Sequence, residues 1–160
     1  MAIEVFLTIT DVKGESQVAG FEDQIDILAW NWGLSQSGTA HLGGGSGAGR
    51  VSIQDMNFTK FTDSATHALM RACCNGHHFS KAVLTARKAG KKPLTYLEIT
   101  MEQVMVSNVS TGATPDDERQ TENVSLNFAK LTVDYTPQDE KGAGGAKKTM
   151  KYDIARNVAE

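Results

Sequence analysis

The sequence predicts a mainly β protein, a barrel or sandwich with one helix laid against it, and three observations predict it. Apolar residues recur with period two along most of the 160-residue chain, which gives each strand a face to bury. The two longest runs change phase part-way: Leu97, Ile99 and Met101 give way to Val104 and Val106, and Val124, Leu126 and Phe128 give way to Leu131, Val133 and Tyr135. A one-residue slip exchanges the faces of a strand, so each change implies a bulge or bend, as where a strand leaves one sheet for another. The third observation is a lone stretch of helical period between the strands.

In chain order, Ile3, Val5, Leu7 and Ile9 share one face of the first strand. In "IDILAWNWGL" (Ile25–Leu34) both faces carry apolar groups, with Trp30 and Trp32 on one side and Asn31 on the other, so both faces are expected to meet protein. Strands follow at Val51–Thr59, Phe79–Arg87, Leu94–Val109 and Glu122–Tyr135. Ala65, Ala68, Leu69, Ala72 and Cys73 form the helical stripe; Thr62, Asp63 or Ser64 supplies an N-cap, and Asn75-Gly76 a left-handed stop. Residues 139–149 are polar and rich in Gly and Lys, and read as a flexible excursion before a strand-like run at Lys151–Val158. With no internal repeat, the expectation is one domain over residues 1–160.

An apolar share of 40%, a charged share of 22% and a formal charge of −3 suit a soluble globular chain and favour neither nucleic-acid binding nor membrane insertion. The opening "MAIEVFLTITD" has no basic leader, and Glu4, Thr8 and Thr10 break its apolar run, so neither a signal peptide nor a membrane span is expected. The two cysteines, Cys73 and Cys74, are adjacent, where a bridge would be strained, which implies folding in a reducing compartment.

The stretch "LGGGSGAGR" (Leu42–Arg50) invites a nucleotide reading and fails it. Arg50-Val51 stands where a phosphate loop needs Lys-Ser/Thr, and a strand follows instead of the helix whose N-terminus would face the anion. Pinning five glycines costs about 2.5–5 kcal/mol relative to alanine, so Gly43, Gly44, Gly45, Ser46, Gly47, Ala48, Gly49 and Arg50 are expected to order against a neighbouring subunit. His41, His67, His77 and His78 lack metal-ligand spacing, and no serine sits in a nucleophile elbow; no metal, cofactor or catalytic residue is expected. Arg87, Lys88, Lys91 and Lys92 cluster around Gly90, while Pro115–Glu122 is predominantly acidic. Opposite patches on one chain suit head-to-tail contacts between copies. Trp30 and Trp32 read as core or interface aromatics ahead of a sugar-stacking platform.

Five motifs in order resemble one family over almost the whole chain: "DVKGES" (Asp11–Ser16), "IDILAWNWGLSQSG" (Ile25–Gly38), "GGGSGAGRVSIQDMNFTK" (Gly43–Lys60), "RKAG" (Arg87–Gly90) and "TENVSLNFAKLTVDYTPQ" (Thr121–Gln138). The chain resembles the haemolysin-coregulated protein (Hcp) family, the tube protein of type VI secretion. The resemblance implies a compact two-sheet barrel with one flanking helix, closing into a homo-hexameric ring. It implies stacked rings inside a contractile sheath, beneath a spike protein, with small effector proteins in the channel. It also implies a bacterial cytoplasmic stage, then export without a cleaved leader, and a structural role that is not enzymatic. Residue by residue, Gly43–Arg50 matches the extended inter-subunit loop and Asn31 a channel position that influences cargo. Ala89, Gly90 and Lys91 match one ring face, and Arg156 and Asn157 the other. A tail-tube protein of a phage-like contractile particle, a small-ligand module using the tryptophans and a nucleotide-dependent enzyme are the alternatives.

Overall fold

A computed structural model describes residues 2–38 and 49–160. The strands are β1 (Ile3–Ile9), β2 (Ile25–Asp26), β3 (Ala29–Asn31), β4 (Leu34–Ser35), β5 (Ser52–Ile53) and β6 (Met56–Phe61). Helix α1 (Thr66–Asn75) precedes β7 (His78–Lys88), β8 (Leu94–Gly112), β9 (Thr121–Asn127), β10 (Lys130–Tyr135), β11 (Lys148–Asp153) and β12 (Val158–Ala159). They form a sheet of ten strands and a separate pair, β4–β5.

The large sheet closes on itself. Antiparallel pairing runs β8–β7–β1–β2, and β3 pairs with β6, β6 with β9, and β9 with β8 again. Two residues carry the crossing from β2 to β3: Ile27 N–H donates to Val5 O at 3.0 Å and Leu28 N–H to Thr59 O at 2.8 Å. The run expected as one strand over Ile25–Leu34 is therefore broken, because its backbone donors pass from one neighbour to another. β10, β11 and β12 extend from β8 as a wing outside the closed circuit.

Both phase changes mark places where the sheet turns. In the 19-residue β8, Glu102 and Gln103 are consecutively exposed between buried Met101 and Val104, and Gln103 takes φ 53°. Before that point β8 lies between β7 and β10; beyond it, β8 pairs with β9, with a further register shift between Val106 and Asn108. The second run divides into β9 and β10 at Phe128 and Ala129, and the two halves serve opposite ends of β8. The enclosed core includes Leu7, Ile25, Phe58, Leu69, Leu84, Met101 and Leu126, all at most 2% exposed.

The helix stops as its sequence directs, at Gly76 with φ 67° and ψ 27°. Its start differs: Ala65 occupies the cap position with no side-chain bond. Asp63 instead accepts from Ala65 N–H at 2.9 Å in the preceding turn, and Thr66 Oγ1 accepts from Asp63 N–H at 3.0 Å. The terminal strand begins earlier than Lys151, at Lys148, because Lys148–Asp153 completes a six-residue register with β10. Between them, Asp139 Oδ1 accepts from the backbone of Lys141 and Ala143 at 2.9 and 2.7 Å, folding that part of the excursion into a turn.

Candidate functional site

The outer face of β3, β6, β9 and the end of β8 carries two rows of small side chains, all polar except Ala29. Antiparallel register places Asn31, Asn57, Ser125 and Asn108 across the four strands in one row, and Ala29, Thr59, Asn123 and Ser110 in the next. Their strand neighbours Phe58, Val124 and Leu126 point inward and are buried, so period two delivers the amides and hydroxyls outward. Asn57 Nδ2 donates to Asn31 Oδ1 at 3.1 Å, Ser125 Oγ to Asn57 Oδ1 at 2.5 Å, and Thr59 Oγ1 to Asn123 Oδ1 at 2.7 Å. At the end of the face, Asp55 accepts from Ser107 Oγ at 2.6 Å and Asn127 Nδ2 at 2.9 Å. A shallow hollow of about 280 Å³ lies over the two rows.

Trp30 sits opposite Phe58, half-buried, and Trp32 donates its indole N–H to Gln54 O at 2.9 Å; both pack against the core. Asn31, between them, is exposed. The tryptophans thus hold β3 against the barrel while turning Asn31 outward.

Directly behind this face lies a buried ionic cluster that no motif announced. Lys60 Nζ meets Glu122 Oε1 at 2.7 Å, Asp63 Oδ1 at 2.9 Å, Phe61 O at 2.9 Å and Thr66 Oγ1 at 3.3 Å. Lys60 is 0% and Glu122 1% exposed. Together they tie β6 and β9 to the start of α1. The signal was present: Lys60 continues the buried phase of Met56 and Phe58, and Glu122 that of Val124 and Leu126.

A second surface lies under the wing. Leu34, Val51 and Ile53 face Met150 and Tyr152 across a groove of about 390 Å³, in which Gly49 and Asn157 also take part. Leu34 is 48% and Met150 43% exposed, a large area of uncovered apolar side chain. Arg50 closes one side by donating to Ile154 O at 2.6 Å, so the end of the glycine stretch is bound to the turn that carries Arg156 and Asn157. Gly43–Ala48 lie outside the described residues.

The basic and acidic loops are held apart by β8, which separates Ala89–Lys92 at its start from Pro115–Gln120 past its end. The two arms of the bent strand, at about 3.3 Å per residue, are each roughly 25–30 Å long. Gly90 turns the basic tip with φ 148°, and Lys91 and Lys92 are exposed. Elsewhere Glu22, in the turn before β2, has its carboxyl held below the usual carboxylate range by backbone N–H bonds from its own residue and from Gly20. Among the described residues no group of three or more His, Cys, Asp or Glu side chains is arranged to hold a metal, and no helix is long and apolar enough to cross a membrane.

Comparison with known proteins decides the family. A model described as "Type VI secretion system effector, Hcp" matches residues 6–135. The chain belongs to the Hcp family. It is 51% identical, over 161 aligned residues, to Hcp1 of Pseudomonas aeruginosa, covering 99% of each chain. Among solved structures, Hcp1 of Salmonella typhimurium superposes with a TM-score of 0.84 at 32% identity, with all of both chains covered. A further structure described as a type six secretion system protein gives a TM-score of 0.93 at 24% identity, covering 99% of this chain and 100% of the other. The two-sheet, one-helix Hcp fold expected from the sequence is the fold observed, and the tube-protein family inferred from its motifs is the family found.

Proposed function

We propose that the protein is the inner-tube subunit of a type VI apparatus: six copies close a ring, rings stack, and the Asn31 face lines the channel that carries small effectors out of the bacterium. Sheath and spike are its partners in that reading, and its work is mechanical. The observation that carries it is the uncovered apolar flank beneath the wing, where Leu34 and Met150 stand against solvent beside half-buried Ile53 on a chain matching an Hcp protein from end to end. A subunit that leaves such a flank open supports closure by further copies, and an obligate ring contact buries about 2,000 Å² or more. Asn31 projects from a neutral hydrogen-bonding face, as suits a wall that holds cargo and releases it. The basic Ala89–Lys92 tip and the Arg156–Asn157 turn supply the ring faces.

Native mass spectrometry and sedimentation at micromolar concentration test this. A ring of six that persists on dilution is expected, and Met150→Lys should release monomers. A wild-type chain that remains a monomer overturns the reading. Electron microscopy of the rings should show them stacking in register.

A further inference from the structure

We infer that the amide rows are polarised: Asn31, and Asn123 one row away, turn their N–H donors outward, so the cargo segment that rests there presents uncharged carbonyl oxygens. The inference rests on the channel reading above and adds which chemistry the wall recognises and which residue sets it.

The orientation follows from a chain of obligatory partners. A backbone carbonyl only accepts, and Asn57 lies 3.4 Å from Asp55 O, so the atom of Asn57 on that side is its NH2 group. The other Asn57 amide proton then reaches Asn31 at 3.1 Å, and the atom receiving it must be Asn31 Oδ1. Asn57 Oδ1 is left for the Ser125 hydroxyl at 2.5 Å. Asn31 Oδ1 therefore faces Asn57, and its NH2 group, at an exposed position and without a partner among the described residues, is the end left for a ligand. Asn123 is oriented alike, its Oδ1 accepting from Thr59 Oγ1 at 2.7 Å, a hydroxyl partner that does not by itself dictate which end of the amide it meets.

The partner's charge is constrained as well. Neither row contains an ionisable side chain, and the nearby Asp55 carboxylate is occupied by Ser107 and Asn127 at 2.6 and 2.9 Å. With no cation in either row to offset the dehydration of an anion, and the Asp55 carboxylate at the edge repelling one, the face suits uncharged acceptors such as the backbone carbonyls of an exposed loop or strand edge. Such contacts are weak and insensitive to salt, unlike the charged tips of the same subunit. Asn57 is a positioning residue: its amide groups are engaged by Asn31, Asp55 and Ser125, and it acts by fixing which end of Asn31 is presented.

The test uses the assembled protein and a blocked oligosarcosine peptide, whose N-methylated backbone carries carbonyl acceptors and no N–H donors. The side-chain amide signals of Asn31 and Asn123 should shift on titration, with affinity nearly constant between low and high salt. Asn57→Asp replaces the donor facing Asn31 by an acceptor, turning the Asn31 amide round, and should weaken the peptide about two- to tenfold, the factor of one net hydrogen bond. Asn31→Asp, at an exposed position, should do the same without touching the network's other members. If wild-type rings do not bind the peptide, or bind it no better than both variants, or if the Asn31 amide protons are already protected in the free ring, the inference is overturned while the ring stands. A wild-type monomer that nonetheless binds peptide through Asn31 would overturn the tube instead.

Discussion

Removing the ammonium of Lys60 should destabilise the barrel severely, although no part of that side chain reaches solvent. The substitution Lys60→Met keeps the length of the stem and deletes the charge. Glu122, 1% exposed, and Asp63, whose side chain is 8% exposed, then face each other without the cation that stands 2.7 and 2.9 Å from them. Breaking a buried pair by removing one partner costs about 3–5 kcal/mol, because the remaining charge is stranded where water cannot solvate it. For a chain of this size that corresponds to a melting temperature lower by roughly 6–20 °C. The assay is guanidinium denaturation followed by tryptophan fluorescence, at matched protomer concentrations because assembly adds to apparent stability. The double variant Lys60→Met/Glu122→Leu leaves Asp63 as the one remaining charge of the cluster, still accepting from Ala65 N–H, and should recover part of the loss. A single-variant loss below about 1 kcal/mol, or a double variant that merely sums the two singles, would refute the argument that stranded charge rather than lost packing dominates.

Gln103 holds φ 53° at the bend of β8; Gln103→Val should lower stability by about 1–2 kcal/mol, since a β-branched side chain fits that region poorly, and chemical denaturation checks it. At Gly14 a Cβ would lie 2.4 Å from Gln24 O and 2.8 Å from Ile25 Cα, both backbone; Gly14→Ala should therefore cost about 1–3 kcal/mol in the same assay. Reversing the basic tip (Lys91→Glu/Lys92→Glu) or the acidic loop (Asp116→Lys/Asp117→Lys) should each reduce low-salt ring stacking, read by light scattering, with the ring itself intact in native mass spectrometry. Mixing the two variants should restore stacking, because every contact in an alternating stack is again complementary; unchanged scattering from either alone counts against a charge-driven contact.

The bend of β8 and the break between β9 and β10 were legible because each leaves a mark in side-chain phase: Met101 to Val104, and Phe128 to Leu131. Helix α1 was legible from its stripe and from Gly76. The crossing at Ile27 and Leu28 was not, since its cause is a change of backbone partner, from Val5 to Thr59, and apolar alternation continues across it. The capping error at α1 has a related origin: Asp63 satisfies Ala65 N–H and also faces the buried ammonium of Lys60 three residues earlier, a competing demand that depends on Lys60 being turned into the core. Lys60 and Glu122 were readable as opposite charges in two apolar phases, a pattern that points to a buried pair once it is looked for. The amide rows were beyond reach, because Asn31, Asn57 and Asn123 become neighbours only through the register of three strands. Asn31 itself came from the family motif, which gave a position without its surroundings.

The closed hydrogen-bond circuit also makes the subunit mechanically lopsided. Tension entering at the amino end falls on β1, held on one side by β7 and on the other by β2, so adjoining ladders are loaded in shear and must fail together. Tension entering at the carboxyl end meets β12 and β11 at the margin of the wing, where ladder bonds can come away one after another. In the proposed tube that margin would be safest tucked against a neighbour, leaving no seam from which the wall could fray.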